Sequence, residues 1–232
     1  SQQQKGGVSS STQSSRLSAA CVNMPEKIII VTGFGPFAGH EERNASWEAV
    51  KLLPDVFHFR KDAYQLRKYQ VPVIYEEVNR ILPQIWNQKP DLVVHVGVNG
   101  TINTINLEHF SYTFGYSKPD FAQHYLPSDK ITLSGKHAND KECAMLKTNL
   151  NVERLVKELN LETNVECCCS TNVGNYLCGY IYVKSLDVNQ DRTLFVHVPE
   201  VNEPYTSEQT MTTIYNVIGK CLEQLAAEHK LS

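Results

Sequence analysis

Two residues in the C-terminal third of the chain are of types that can do chemistry together, Cys178 and His197. Both lie in residues 170–199, STNVGNYLCGYIYVKSLDVNQDRTLFVHVP. A thiolate is a nucleophile and an imidazole can take the thiol proton, so the pair suits acyl transfer by a cysteine hydrolase. A third group is available further back. Glu108 is the single acid in residues 97–112, GVNGTINTINLEHFSY. It is either a solvated strand residue or local ion-pair partner, or the acid that orients the imidazole, and its surroundings in sequence leave both readings open.

These side chains need elements to hold them. Around Cys178 the pattern changes from a polar turn, Ser170 to Gly174, to apolar residues at helical spacing: Tyr176, Leu177, Ile181 and Leu186. The thiol therefore falls at a helix start, where the positive end of the macrodipole and unpaired backbone N–H groups favour the thiolate. His197 lies in LFVHVP, residues 194–199, a strand-like run closed by proline. Strand ends are where an α/β sheet presents its working groups.

Further back, residues 27–32 (KIIIVT) form a continuous apolar run that predicts a buried first strand. The loop Gly33-Phe34-Gly35-Pro36-Phe37 follows, without G-x-G-x-x-G or a Walker lysine. Phe34 and Phe37 either plug the top of the core or face a flat, apolar ligand. Asn44 or Ser46 can cap a helix through Trp47, Val50, Leu52 and Leu53, ended by Pro54. A strand over 64–73 follows, then a helix over 75–86 that Pro83 breaks or bends, then a strand over 91–97. Residues 114–139 lack a period and read as an excursion that covers the site, or as a flexible loop. A helix over 150–159, a strand over 165–169 and an amphipathic helix over 206–228 complete the chain. The βαβαβ opening argues for a single α/β domain over residues 26–229: a mostly parallel twisted sheet with helices on both faces, in three αβα layers.

Composition narrows the classes. Residues 1–25 are rich in Ser and Gln and lack an apolar leader, so a disordered tail is expected, with a transit peptide the lesser alternative. A net charge of −3 with scattered Lys and Arg gives no footprint for nucleic acid. No apolar run approaches the roughly 20 residues of a membrane helix. Seven cysteines, an odd number without a secretory leader, point to reduced thiols in the cytoplasm. Cys167, Cys168 and Cys169 are successive, so on a strand they alternate faces and cannot converge on a metal; small core residues are the expectation. Asn44-Ala45-Ser46 and Asn99-Gly100-Thr101 are taken as chance glycosylation patterns.

Three motifs taken together resemble the pyroglutamyl peptidase I family over about residues 27–225. They are Gly33-Phe34-Gly35-Pro36-Phe37 with Asn44-x-Ser46-Trp47, Ser170-x-x-x-Gly174-x-Tyr176-Leu177-Cys178, and Phe195-Val196-His197-Val198-Pro199. The resemblance implies a Glu108–Cys178–His197 triad, and Phe34 and Phe37 flanking a pyroglutamyl ring, with Val98 at a contact position usually held by Gln. It further implies removal of N-terminal pyroglutamate from small peptides through a thioester, with no metal or organic cofactor. The family includes monomers and tetramers. Asn172, Gly179 and Val98 depart from its usual residues, as does Ile102 where bacterial members carry Arg. They are the motive for a second reading, a homologue that binds blocked N-termini without turnover.

Overall fold

The computed structural model describes residues 25–231. The expectation of a disordered tail therefore lies almost wholly outside the described residues. Nine strands and five helices follow in the order β1 (Ile28–Phe34), α1 (Ala45–Val50), β2 (Val56–Phe59), β3 (Asp62–Val71), α2 (Tyr75–Asn87), β4 (Leu92–Val98), β5 (Ile105–Glu108), β6 (Phe110–Tyr112), β7 (Met145–Lys147), α3 (Val152–Glu162), β8 (Cys167–Ser170), α4 (Leu177–Val188), β9 (Thr193–Val198) and α5 (Ser207–Ala227). Seven strands form one sheet in the order β2-β3-β1-β4-β9-β5-β8, and β6 and β7 form a separate pair. Strands β3, β1, β4 and β9 run parallel, β2 is antiparallel to β3, and β5 is antiparallel to β9 but parallel to β8.

Alternation along β1 sets the layers. Ile29 and Val31 pack with residues of α1, α3 and α5, whereas Ile28 and Ile30 pack with those of α2 and α4. Every residue of β1 is buried, as a central parallel strand covered on both faces requires. The three-layer αβα arrangement is thus the observed one. Helix α5 begins with a capping box, in which the Thr206 side chain accepts from Gln209 N–H and the Gln209 side chain accepts from Thr206 N–H.

Several expectations change. The hairpin β2–β3 replaces one strand, because the reversal at Arg60-Lys61 carries no Gly or Asn. Arg60 itself adopts φ 55° there, with its guanidinium over the Phe59 ring. Pro83 does not end α2, which continues to Asn87. Its ring lies on the exposed side, where solvent can take the carbonyl that the missing N–H leaves free. Helix α1 stops at Val50 rather than reaching Leu53. On the edge strand β8, Cys167 is buried, Cys168 half-buried and Cys169 exposed, so only the first is a core residue. Among the described residues no group of three or more His, Cys, Asp or Glu is placed to hold a metal, and no helix is long and apolar enough to cross a membrane.

The excursion over 114–139 does not line the cavity described below. It packs instead against α2 and α4, burying Tyr116, Ile131 and Leu133. Asp187 of α4 fastens it by accepting from the backbone N–H groups of Ser134, Gly135 and His137 at 3.0, 2.6 and 2.8 Å.

The entry of α1 against β1 depends on Gly33. A Cβ there would lie 3.0 Å from both N and Cα of Trp47. Gly33→Ala must push the helix away from the strand, and a loss of about 1–3 kcal/mol is expected, measured by urea unfolding with an unchanged m-value.

Candidate active site

Cys178 is the second residue of α4, whose N-cap, Tyr176, provides no side-chain cap. The first N–H groups of any α-helix lack intrahelical partners, so those of Leu177, Cys178 and Gly179 cluster beside the sulfur. His197 is the penultimate residue of β9 and Glu108 the last of β5. Antiparallel pairing sets Asn106 opposite His197 and Glu108 opposite Phe195. Since residues two apart share a face, Glu108, Phe195 and His197 all project toward the layer containing α4.

Pairing alone brings the acid to the base. Glu108 Oε1 lies 2.8 Å from His197 Nδ1, with the side chains 1% and 5% exposed. A carboxylate can only accept, so Nδ1 carries the proton and Nε2 is left for the thiol. The Cys178 sulfur lies against Gly97, the residue that pairs with His197 across β4 and β9, so thiol and imidazole are neighbours. Burial on its own would lower the imidazole pKa. The neighbouring Cys178 side chain and the hydrogen bond donated to Glu108 outweigh burial and hold it at about 9. Glu108 Oε2 is buried with no hydrogen-bond partner among the described residues. The carboxylate charge is thus answered by the imidazolium.

The contrast with His95 is instructive. Its ring sits mid-strand in β4, fully buried between Thr32 Oγ1 and Ser185 Oγ, both at 2.7 Å. With no carboxylate beside it, burial lowers its pKa to about 3, and it remains neutral.

A cavity of about 340 Å³ opens onto the sulfur and imidazole. Phe34, Phe37 and Val98 all line it, with Val73, Asn44 and His40. Phe34 is not a loop residue: it closes β1 and is 4% exposed, so it belongs to both core and cavity. Phe37 is on the loop proper. Among the described residues no Asp, Glu, Lys or Arg lines the cavity.

The loop bearing these rings is built by Asn44 and Ser46. Ser46 Oγ accepts from Phe34 N–H at 2.9 Å, and Asn44 Oδ1 accepts from Ser46 N–H at 3.0 Å and from its hydroxyl at 2.6 Å. Asn44 Nδ2 donates to Gly35 O at 3.1 Å. Asn44 is 2% exposed, which also excludes it as a glycan acceptor in the folded protein.

Two glycines matter in ways that sequence reasoning missed. A Cβ on Gly97, which pairs with His197 across β4 and β9, would lie 2.6 Å from Cys178 Sγ. The thiol occupies that space. A Cβ on Gly179 would fall 2.2 Å from Gly174 O and 2.7 Å from the Tyr116 hydroxyl, so the surroundings admit no side chain here. That departure is matched by its neighbours. Ile102 does not line the cavity, whereas Val98 and Asn172 do. His40, absent from the sequence reading, also lines it; its partner Glu200 lies 160 positions away, and no local pattern marks it.

A helix-start thiol, a strand-end imidazole and a buried carboxylate on an α/β sheet define the class as cysteine-type hydrolases. The comparisons specify it further. The family model described as pyroglutamyl peptidase matches residues 27–228. The chain is 33% identical over 206 residues to human pyroglutamyl-peptidase 1, covering 88% of this chain and 94% of that protein. It is 32% identical over 205 residues to the pyrrolidone-carboxylate peptidase of Thermococcus onnurineus, covering 83% and 96%. The crystal structure of Bacillus amyloliquefaciens pyroglutamyl peptidase I shares the fold at TM-score 0.71 and 22% identity, covering 85% of this chain and 98% of that one. The chain belongs to the pyroglutamyl peptidase family and is a cysteine-type peptidase.

Gly97→Ala tests the fit around the sulfur. It should lower turnover at least 100-fold, because the thiol rotates away from His197, and cost about 1–3 kcal/mol in urea unfolding, because the same Cβ would lie 2.8 Å from the buried Phe195 ring. Alkylation of Cys178 by iodoacetamide, followed by mass spectrometry, should slow in parallel.

Proposed function

We propose that residues 26–229 hydrolyse the amide bond after an N-terminal pyroglutamyl residue of small peptides, with Cys178, His197 and Glu108 as the catalytic triad. The observation that carries this reading is the join of the Glu108–His197 hydrogen bond, with Cys178 beside the imidazole, to a cavity walled by Phe34 and Phe37 and lined by no Asp, Glu, Lys or Arg among the described residues. A pyroglutamyl ring is flat and uncharged and suits an aromatic slot. A free α-amino group would lose its hydration there with no carboxylate to receive it.

In the proposed reaction the Cys178 thiolate attacks the lactam-bearing carbonyl, while His197 holds the proton taken from the sulfur. The tetrahedral oxyanion is received by backbone N–H groups at the start of α4, where one such donor is worth about 3 kcal/mol. Collapse breaks the C–N bond, and His197 gives its proton to the departing amine. Water then attacks the thioester with His197 as base, releasing pyroglutamate and the thiol. Glu108 fixes the tautomer and balances the imidazolium. Phe34, Phe37 and Val98 bind the ring. A free catalytic thiol fits a reducing compartment, and a cytoplasmic location is proposed on that ground.

The test is turnover of a fluorogenic pyroglutamyl amide by the purified protein. Activity is expected, abolished by Cys178→Ala and by iodoacetamide; absence of turnover in the reduced wild type would overturn the reading. Glu108→Gln should lower kcat about 100-fold or more with little change in KM.

The pH profile gives a further check. His197 is protonated below its pKa of about 9, so the thiolate–imidazolium pair is lost above that pH and activity should fall there. Glu108→Gln removes one cause of the upward shift, so the alkaline limb should move to lower pH. The same shift contributes stability in full below about pH 6.5, the ordinary imidazole value, and that contribution disappears as pH rises through about 9.

A further inference from the structure

The loop carrying Phe37 has little to hold it. Between Pro36 and Arg43 every residue is exposed except Phe37 and His40, which are half-buried. The two are joined three ways. His40 N–H donates to Phe37 O at 2.7 Å, the residues form an isolated β-bridge, and their rings stack at 4.5 Å with planes 22° apart. Gly39, between them, takes φ 84° to make the tight reversal possible.

One contact ties this turn to the rest of the molecule on the far side of the cavity. His40 Nδ1 lies 3.0 Å from Glu200 Oε1. Glu200 stands three residues after His197, in the connection from β9 to α5. Its carboxylate also lies beside Gly100, near the start of the β4–β5 loop, where an added Cβ would be 3.2 Å from Oε1. The carboxylate therefore sits at the C-terminal end of β4 and β9, the end that also carries His197.

We propose that His40 and Glu200 are positioning residues for the aromatic wall: the Glu200–His40 bond holds the imidazole, and the imidazole, stacked on Phe37, holds that ring over the cavity. Neither residue enters the chemistry. The carboxylate lies 3.0 Å from Nδ1, so the imidazole meets an acid from the connection that follows the catalytic histidine. Without it, only the packing of Phe37 on the α2 and α4 side of the core holds an otherwise exposed eight-residue segment, whose local opening then costs less. The proposal rests on the pyroglutamyl reading above for its effect on binding, but the tether itself is independent of substrate identity.

Two measurements separate those levels. Hydrogen–deuterium exchange is followed in the peptide containing Phe37 and His40, in wild type, Glu200→Ala, Glu200→Gln and His40→Ala. Exchange should accelerate at least 10-fold in the two alanine variants and stay near wild type in Glu200→Gln, whose amide keeps the side-chain contact with the imidazole. Unchanged exchange in both alanine variants overturns the tether, whatever the activity.

Kinetics on pyroglutamyl amides with an arginyl and a glutamyl second residue supply the functional arm. KM should rise 5- to 20-fold for both substrates in either alanine variant, with kcat within 2-fold, and Glu200→Gln should restore most of the loss. The double variant His40→Ala/Glu200→Ala should be no worse than the single ones, as expected of two groups acting through one contact. A KM effect confined to the arginyl substrate would overturn the positioning role, because it would mean that Glu200 meets the peptide directly. Wild-type inactivity toward both substrates would instead sink the pyroglutamyl reading, leaving the exchange result to decide the tether.

Discussion

The His197–Glu108 contact constrains this molecule more than any other single pair. Both side chains are buried, and the second oxygen of Glu108 has no partner among the described residues. A buried carboxylate in that position is tolerable only while a positive charge faces it, since removing one partner of such a pair costs about 3–5 kcal/mol. The carboxylate thus favours the imidazolium, and the imidazolium in turn favours a thiolate at Cys178. Stability and nucleophile activation are coupled through the same short contact.

That contact is made where the sheet turns irregular, at β5. Running antiparallel to β9, it ends with Glu108 opposite Phe195, on the face that also carries His197. Phe195 fills the space beneath, its ring 4.8 Å from the imidazole, and Tyr182 of α4 donates to Glu108 O at 2.8 Å. The acid is held from the backbone as well as through its side chain.

Space is controlled as tightly as charge. Gly33 admits α1 to β1, Gly97 leaves room for the sulfur, and Gly179 leaves room for the Gly174 carbonyl and the Tyr116 hydroxyl. Each absent side chain sits where two elements meet, and each lies within a few residues of the cavity. Gly179 shows why a departure from a family pattern is poorly judged in one dimension. The position is closed by the Gly174 carbonyl, five residues back, and by the Tyr116 hydroxyl, more than sixty residues earlier in the chain.

Local pattern determined a good deal by itself. Continuous apolar runs marked the buried strands β1, β4 and β9, because strands covered on both faces need apolar residues at every position. Helical spacing marked α2, α3 and α5, and the change of period after Gly174 put Cys178 at a helix start. What remained undecided was whatever depends on partners distant in sequence. DLVVHVG and LFVHVP each place a histidine in an apolar strand, yet one imidazole meets two hydroxyls and the other a carboxylate. The β2–β3 turn lacked its usual residues, Pro83 was tolerated because its side of α2 faces solvent, and His40 acquires its partner only across the cavity. Sequence pattern reports burial and local conformation, which neighbouring residues set through sterics and hydration. Which charge faces which, and which glycine is a space rather than a hinge, are set by strand order and register, and these exist only once the sheet is assembled.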